Sequence, residues 1–210
     1  MDQLAIDLAI IPPDEIIKKI IQLNKQLTYK SPTYFNLGEI DYLPHITLAM
    51  GSVNARDIPK IQRRLKQITA MHEPIKIVVT KCIAQKKPDA TWSSNLALQK
   101  TKALKKIHAD VMDAMQQFFT GESSENMFIT PPAINEKALR WVAQYAKTSA
   151  YDKYYPHITL GKGKSPQIKL PISFVVSRIA LCHLGTHCTC RRILAEERLQ
   201  RASQKNKKSH

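Results

Sequence analysis

The sequence predicts an α+β protein of two pseudo-symmetric lobes, with antiparallel sheets facing a central cleft and helices on the outside. Three observations predict it. A ten-residue phrase is written twice, as Tyr-Leu-Pro-His-Ile-Thr-Leu-Ala-Met-Gly at 42–51 and as Tyr-Tyr-Pro-His-Ile-Thr-Leu-Gly-Lys-Gly at 154–163, with seven of ten positions identical. The copies are too far apart for tandem solenoid units and suitably spaced for two lobes. Hydrophobic periodicity reads strand–helix–repeat strand–helix–strands, then helices–repeat strand–strands, the pattern of an α+β fold. No Gly/Ser-rich or Pro-rich spacer divides the halves. Residues 1–197 are therefore expected to form a single bilobal domain with interleaved lobes, followed by a basic, flexible tail at 198–210.

The elements follow in order. Residues 3–11 read as a buried strand that Pro12-Pro13 ends. Asp14 and Glu15 then favour the positive end of a helix dipole, and Ile16, Ile17, Ile20, Ile21 and Leu27 form that helix's apolar stripe. A polar stretch at 28–41 leads to the first phrase. Asn54 or Asp57 is placed to cap a second helix with Ile58, Ile61, Leu65 and Ile68 at helical spacing. Strands are expected at 75–83 and 92–99, around the Lys86–Asp89 turn. Leu104, Ile107, Val111, Met115 and Phe118 mark a third helix, on which His108 reads as a surface or core histidine. Residues 119–133 lack periodicity, as lid or binding loops often do. A short helix from Asn135 to about Lys147 precedes the second phrase, and closing strands are expected near 171–183 and 187–195, turning around Gly185-Thr186.

Composition bounds the partners. A hydrophobic fraction of 43% is that of a folded protein, and no apolar run approaches the roughly 20 residues of a membrane span. The opening residues carry Asp2 and Asp7 and no basic leader, so they read as a strand rather than a signal peptide, and a reducing cytoplasm is the simplest compartment. The net charge of +15 favours polyanionic partners such as nucleic acid. Among four cysteines, Cys182, Cys188 and Cys190 stand with His183 and His187 in one hairpin. That spacing fits no ordinary structural zinc module, so reduced thiols packed in strands are expected, with a zinc site as the competing reading.

The doubled phrase carries the chemistry. Successive side chains of a strand point to opposite faces, so His45 and Thr47 share a face with Leu43, while Pro44, Ile46 and Leu48 take the other. In the second copy His157, Thr159 and Tyr155 share a face. One His-Ile-Thr alone is ordinary in a half-exposed strand, where threonine is favoured. Two copies in matching contexts are not required by packing.

These motifs resemble the 2H phosphoesterases, a family defined by two His-x-Thr/Ser motifs, and in particular its 2′-5′ RNA ligase-like branch, which includes RNA 2′,3′-cyclic phosphodiesterases. The resemblance covers the opening strand Leu4–Ile11, both Pro-His-Ile-Thr-Leu motifs, the Thr91-Trp92 segment and the closing strands; the Cys/His-rich hairpin and the basic tail depart from it. It implies a metal-independent phosphodiesterase that hydrolyses RNA 2′,3′-cyclic phosphate ends to 2′-phosphates, or cleaves 2′-5′ linkages. One of His45 and His157 would activate water and the other would protonate the departing ribose oxygen, a contribution of roughly 10²–10⁴-fold per group. Thr47 and Thr159 would hold the non-bridging oxygens. The same pair run backwards would join RNA ends.

Tyr42, Trp92 and Tyr155 are candidates to stack on a base, and Lys162 and Lys164 to reach neighbouring phosphates. No cofactor or metal is expected, nor a membrane partner; the chain is expected to act as a monomer on RNA or an oligonucleotide. The alternative is a nucleotide- or RNA-binding module with the same pocket and no significant turnover.

Overall fold

The computed structural model describes residues 2–28, 36–87, 90–130 and 133–200. Strand β1 (Gln3–Ile11) opens the chain. Pro13 stops it and passes its carbonyl to the backbone N–H groups of Ile16 and Ile17, starting helix α1 (Asp14–Thr28). Strand β2 (Ile46–Asn54) carries the first phrase and helix α2 (Ile58–Ala70) follows. Strands β3 (Ile75–Lys86) and β4 (Trp92–Leu98) pair as a hairpin. Helix α3 (Lys102–Met115) is capped by Thr101, which accepts from the Leu104 N–H, and helix α4 (Glu136–Thr148) by Asn135, which accepts from Ala138. The second phrase enters strand β5 (His157–Lys162), and strands β6 (Ile172–Val176), β7 (Arg178–Leu184) and β8 (Cys190–Arg198) close the fold.

Two antiparallel four-stranded sheets result, in the orders β2-β1-β7-β8 and β5-β4-β3-β6. Each phrase lies on an edge strand, and these two edges meet: β2 contacts β5. Helices α2 and α3 back the first sheet, α4 packs along β2, and α1 crosses to the second sheet, against β5. Strand β1 is buried on both faces. Its large residues Ile6, Leu8 and Ile10 make one face, and the small or polar Ala5, Asp7 and Ala9 the other.

Three expectations are corrected. The run near 171–183 is two strands: the chain leaves β6, paired with β3, and crosses at Ser177 to β7, paired with β1 in the other sheet. The helix around Leu104 ends at Met115, leaving Phe118 outside it. The segment after Phe118 is a strap rather than an open loop. The Thr120 N–H donates to the Ser52 carbonyl, the Ile129 N–H to that of Leu184, and Met127 and Phe128 are buried. At the other end β8 runs to Arg198 and Leu199 is buried; the remainder of the expected tail, 201–210, lies outside the described residues. No helix among the described residues is long and apolar enough to cross a membrane.

Both phrase-bearing strands carry a β-bulge at the same point. Opposite one step of β1, from Leu8 to Ala9, strand β2 takes two, from Ala49 to Thr47. Opposite one step of β4, from Ser94 to Asn95, strand β5 takes two, from Gly161 to Thr159. A bulge disrupts the ladder locally, and a buried carbonyl that loses its ladder partner must find another. Two buried side chains supply it. His108 on α3 donates from Nδ1 to the Leu48 carbonyl at 2.7 Å, and Asn24 on α1 donates from Nδ2 to the Leu160 carbonyl at 2.8 Å.

Candidate active site

Where the two edge strands meet, a cleft is lined by His45, Thr47, His157 and Thr159, with Trp141 and His187 among the surrounding residues. Strand parity accounts for this face: Ile46, Leu48, Ile158 and Leu160 point the other way and are fully buried. His108 stiffens the floor. Its Nε2 accepts the Tyr151 N–H at 2.8 Å, and its ring lies flat on Tyr154, with centroids 3.7 Å apart and planes within 2°. Tyr154, which belongs to the second phrase, donates its hydroxyl to the Thr47 carbonyl in the first at 3.0 Å. The two half-sites are thus tied to one another directly.

The two candidate histidines are held identically. His45 Nδ1 lies 2.7 Å from the Leu43 carbonyl and His157 Nδ1 lies 2.9 Å from the Tyr155 carbonyl, each two residues back in its own chain. A carbonyl only accepts, so both Nδ1 atoms carry hydrogen and both Nε2 atoms bear the lone pair when the rings are neutral. Burial favours the neutral ring. It lowers the His45 pKa to about 4, with the neighbouring His157 charge contributing, and it lowers that of His157.

The threonines differ. Thr159 is exposed and has no side-chain partner among the described residues. Thr47 donates its hydroxyl to Asp7 Oδ2 at 2.6 Å, and the same oxygen stands 3.6 Å from His45 Nε2, beyond hydrogen-bond reach.

The model of the 2′-5′ RNA ligase superfamily matches residues 12–186. The chain belongs to that superfamily. No curated protein matches its sequence. Among solved structures its fold is similar to TT0787 of Thermus thermophilus, at a TM-score of 0.57 and 13% identity, over 95% of this chain and 100% of that one. It is likewise similar to E. coli LigT complexed with NADP+ (TM-score 0.54, 15% identity, 96% of this chain and 100% of that one) and to LigT complexed with ATP (0.51, 17%, 95% and 100%).

The superfamily fold distributes the other candidate residues unevenly. Tyr155 borders an adjoining hollow that holds Thr47, His157, Trp141 and Lys153, and its ring stacks beside His157 at 5.4 Å. Lys162 follows the β5 bulge; burial, and after it the Lys162 charge, lowers the pKa of His187 on the cleft wall. Trp92 and Lys164 gather at the far end of the β4–β5 pair, the Lys164 ammonium 5.3 Å from the indole centroid, and neither lines the cleft. Tyr42 lies under the Arg191 guanidinium at 4.3 Å, also away from the cleft lining.

The closing-hairpin cysteines are free thiols, Cys182, Cys188 and Cys190 all buried. His183 turns from them to donate to the Met127 carbonyl at 2.9 Å. The one group with metal-ligand proximity among the described residues is Asp7, His45 and Cys190, whose ligand atoms lie within 4.8 Å of one another. An ion there would occupy the His45 Nε2 lone pair.

Sequence reasoning missed Asp7, Asn24, Tyr154 and Trp141. Asp7 left one signal, as the lone charge inside the apolar run Leu4–Ile11. Trp141 left none, since an α4 position facing the cleft is fixed only by tertiary packing.

Proposed function

We propose that the protein is a metal-independent phosphodiesterase acting on RNA 2′,3′-cyclic phosphate ends, releasing the 2′-phosphate, or on 2′-5′ linkages. The observation that carries this reading is the pair of imidazoles lining one cleft with two threonines, each with Nδ1 bonded to its own backbone so that Nε2 carries the lone pair. In this reading His45, whose pKa burial lowers to about 4, is the base that takes a proton from water, and His157 is the acid that protonates the departing ribose oxygen. The threonines hold the non-bridging oxygens. LigT, a protein of the same fold, has been crystallised with NADP+ and with ATP, which accords with a nucleotide substrate here. Confinement to the cytoplasm, a monomeric state and one bilobal domain spanning 1–197 complete the reading.

The test is hydrolysis of a 2′,3′-cyclic nucleotide in excess chelator, with products resolved as 2′- or 3′-phosphate. Turnover to the 2′-phosphate is expected, and loss of activity on chelation overturns the metal-free mechanism. The pH profile of kcat/KM is also fixed in sign. The base must be neutral, so the rate rises as pH passes about 4; the acid must be protonated, so it falls as pH passes the His157 pKa, below 6.5. A bell with an acidic optimum is expected, and a rate still climbing above pH 8 contradicts these roles. Binding without product on any cyclic phosphate or 2′-5′ substrate would leave the binding-module alternative.

For the base of the substrate, the exposed rings of Trp141 and Tyr155, 38% and 45% accessible, flank the hollow beside His157. Base–aromatic stacking contributes about 1–3 kcal/mol per base. Trp141→Ala is therefore expected to raise KM on the order of tenfold and to lower kcat less, as steady-state kinetics on a cyclic dinucleotide end would read.

A further inference from the structure

Asp7 is fully buried, and its two oxygens are treated differently. Oδ2 is bonded to Thr47 at 2.6 Å, while Oδ1 has no hydrogen-bond partner among the described residues. We propose that Asp7 is a positioning residue that works as a neutral carboxylic acid: its Oδ2–H donates to Thr47 Oγ1, which turns the Thr47 hydroxyl hydrogen into the cleft, toward a non-bridging phosphate oxygen. The proposal rests on the phosphodiesterase reading above and concerns one half-site only.

A threonine hydroxyl has a single hydrogen. While Asp7 is a carboxylate, Thr47 spends that hydrogen on Oδ2 and presents only lone pairs to an incoming anion. With the hydrogen on Oδ2 the bond reverses at the same heavy-atom distance, and Thr47 becomes a donor to phosphate. The surroundings favour that state. A buried carboxylate with one orphaned oxygen carries a large desolvation cost, whereas a neutral acid leaves only one weak carbonyl acceptor unpaired.

Among the described residues, the groups facing Asp7 offer no compensating cation. They are His45 at the entry to β2, Cys182 as its register partner on β7, Cys188 and Cys190 from the closing hairpin, Tyr145 on α4, and Tyr154. Burial pushes the Cys188, Cys190, Tyr145 and Tyr154 groups up, keeping them neutral. Burial likewise raises Asp7 to about 7, against the opposing pull of Thr47. The protonated form prevails at the acidic pH where the histidine pair is in its working state. Thr159, exposed and unpartnered, needs no such device.

The experiment compares Asp7→Asn with Asp7→Ala in the full chain, on a 2′,3′-cyclic nucleotide between pH 4 and 9. The asparagine amide keeps a donor for Thr47 Oγ1 and cannot ionise. Alanine is expected to lower kcat on the order of tenfold to a hundredfold, and asparagine to recover most of that loss. Above pH 7 the wild-type kcat/KM is expected to fall with two ionisations, His157 and Asp7, and Asp7→Asn with one. In a Thr47→Ala background, Asp7→Asn is expected to change nothing further in that slope. An asparagine variant as slow as alanine, or a slope it leaves unaltered, overturns the proposal. Infrared difference titration reads the carboxylic-acid carbonyl stretch lost in Asp7→Asn independently of turnover: a neutral acid at pH 6 supports the proposal and a carboxylate overturns it. Absence of turnover in the wild type would overturn the phosphodiesterase reading alone, and the infrared result would then decide Asp7 by itself.

Discussion

Alanine at His157 or at His45 is expected to lower kcat on a 2′,3′-cyclic nucleotide by roughly 10²–10⁴-fold, the range for removing a positioned acid or base. Both rings owe their orientation to short bonds with backbone carbonyls, of Tyr155 and of Leu43, so truncation removes a proton carrier without dismantling the strand that bore it. Nucleotide binding is expected to persist, because Thr159, Trp141 and Tyr155 remain. On the proposed mechanism the two groups act as a unit, so the double variant is expected to fall only slightly below either single one. Steady-state kinetics with a nucleotide-binding titration reads all three points. If both single variants keep wild-type rates, the doubled motif is not catalytic.

His108→Ala is expected to be the most damaging change outside the cleft, lowering stability by about 3 kcal/mol in a urea titration. Three losses coincide. The Leu48 carbonyl at the β2 bulge loses its donor, the Tyr151 N–H loses its acceptor, and the flat contact with Tyr154 becomes a void. Each unsatisfied buried group costs about 1–3 kcal/mol, with partial relaxation reducing the sum. Tyr154 also bonds to the Thr47 carbonyl, so activity is expected to fall in the fraction that stays folded. A variant as stable as wild type would show that the bulge carbonyl finds another partner.

Legibility in the sequence followed the range of the interactions. Strand parity is local, so the faces of His45, Thr47, His157 and Thr159 could be read from two ten-residue phrases. The α+β class could be read as well, because the apolar period of each element is a local signal. Sheet membership is not local. The stretch 171–183 is mostly apolar, and nothing in its pattern sets Ser177 apart from Ser173 as the place where it changes sheets. The bulges were hidden because the phrase is regular in sequence, and the extra residue exists only relative to the partner strand. Asp7 and Asn24 act on residues far along the chain, at separations of 40 and 136 positions, which no periodicity encodes. The Cys/His hairpin shows the converse: its residues are close in sequence, yet His183 faces Met127 while Cys190 lies near Asp7 and His45.

The crossing at Ser177 also governs when the cleft can exist during synthesis. Strand β1 is made first but is flanked by β2 on one side and by β7 on the other. Until residues 178–198 have emerged, β1 is an open edge, and the carboxyl of Asp7 beside Thr47 still meets water instead of Cys182, Cys188 and Cys190. A nascent chain ending between β5 and β7 therefore carries both histidine motifs without the dry chamber behind the first. A ribosome-arrested series of lengths would be silent through the second motif and would switch on only when the last hairpin closes.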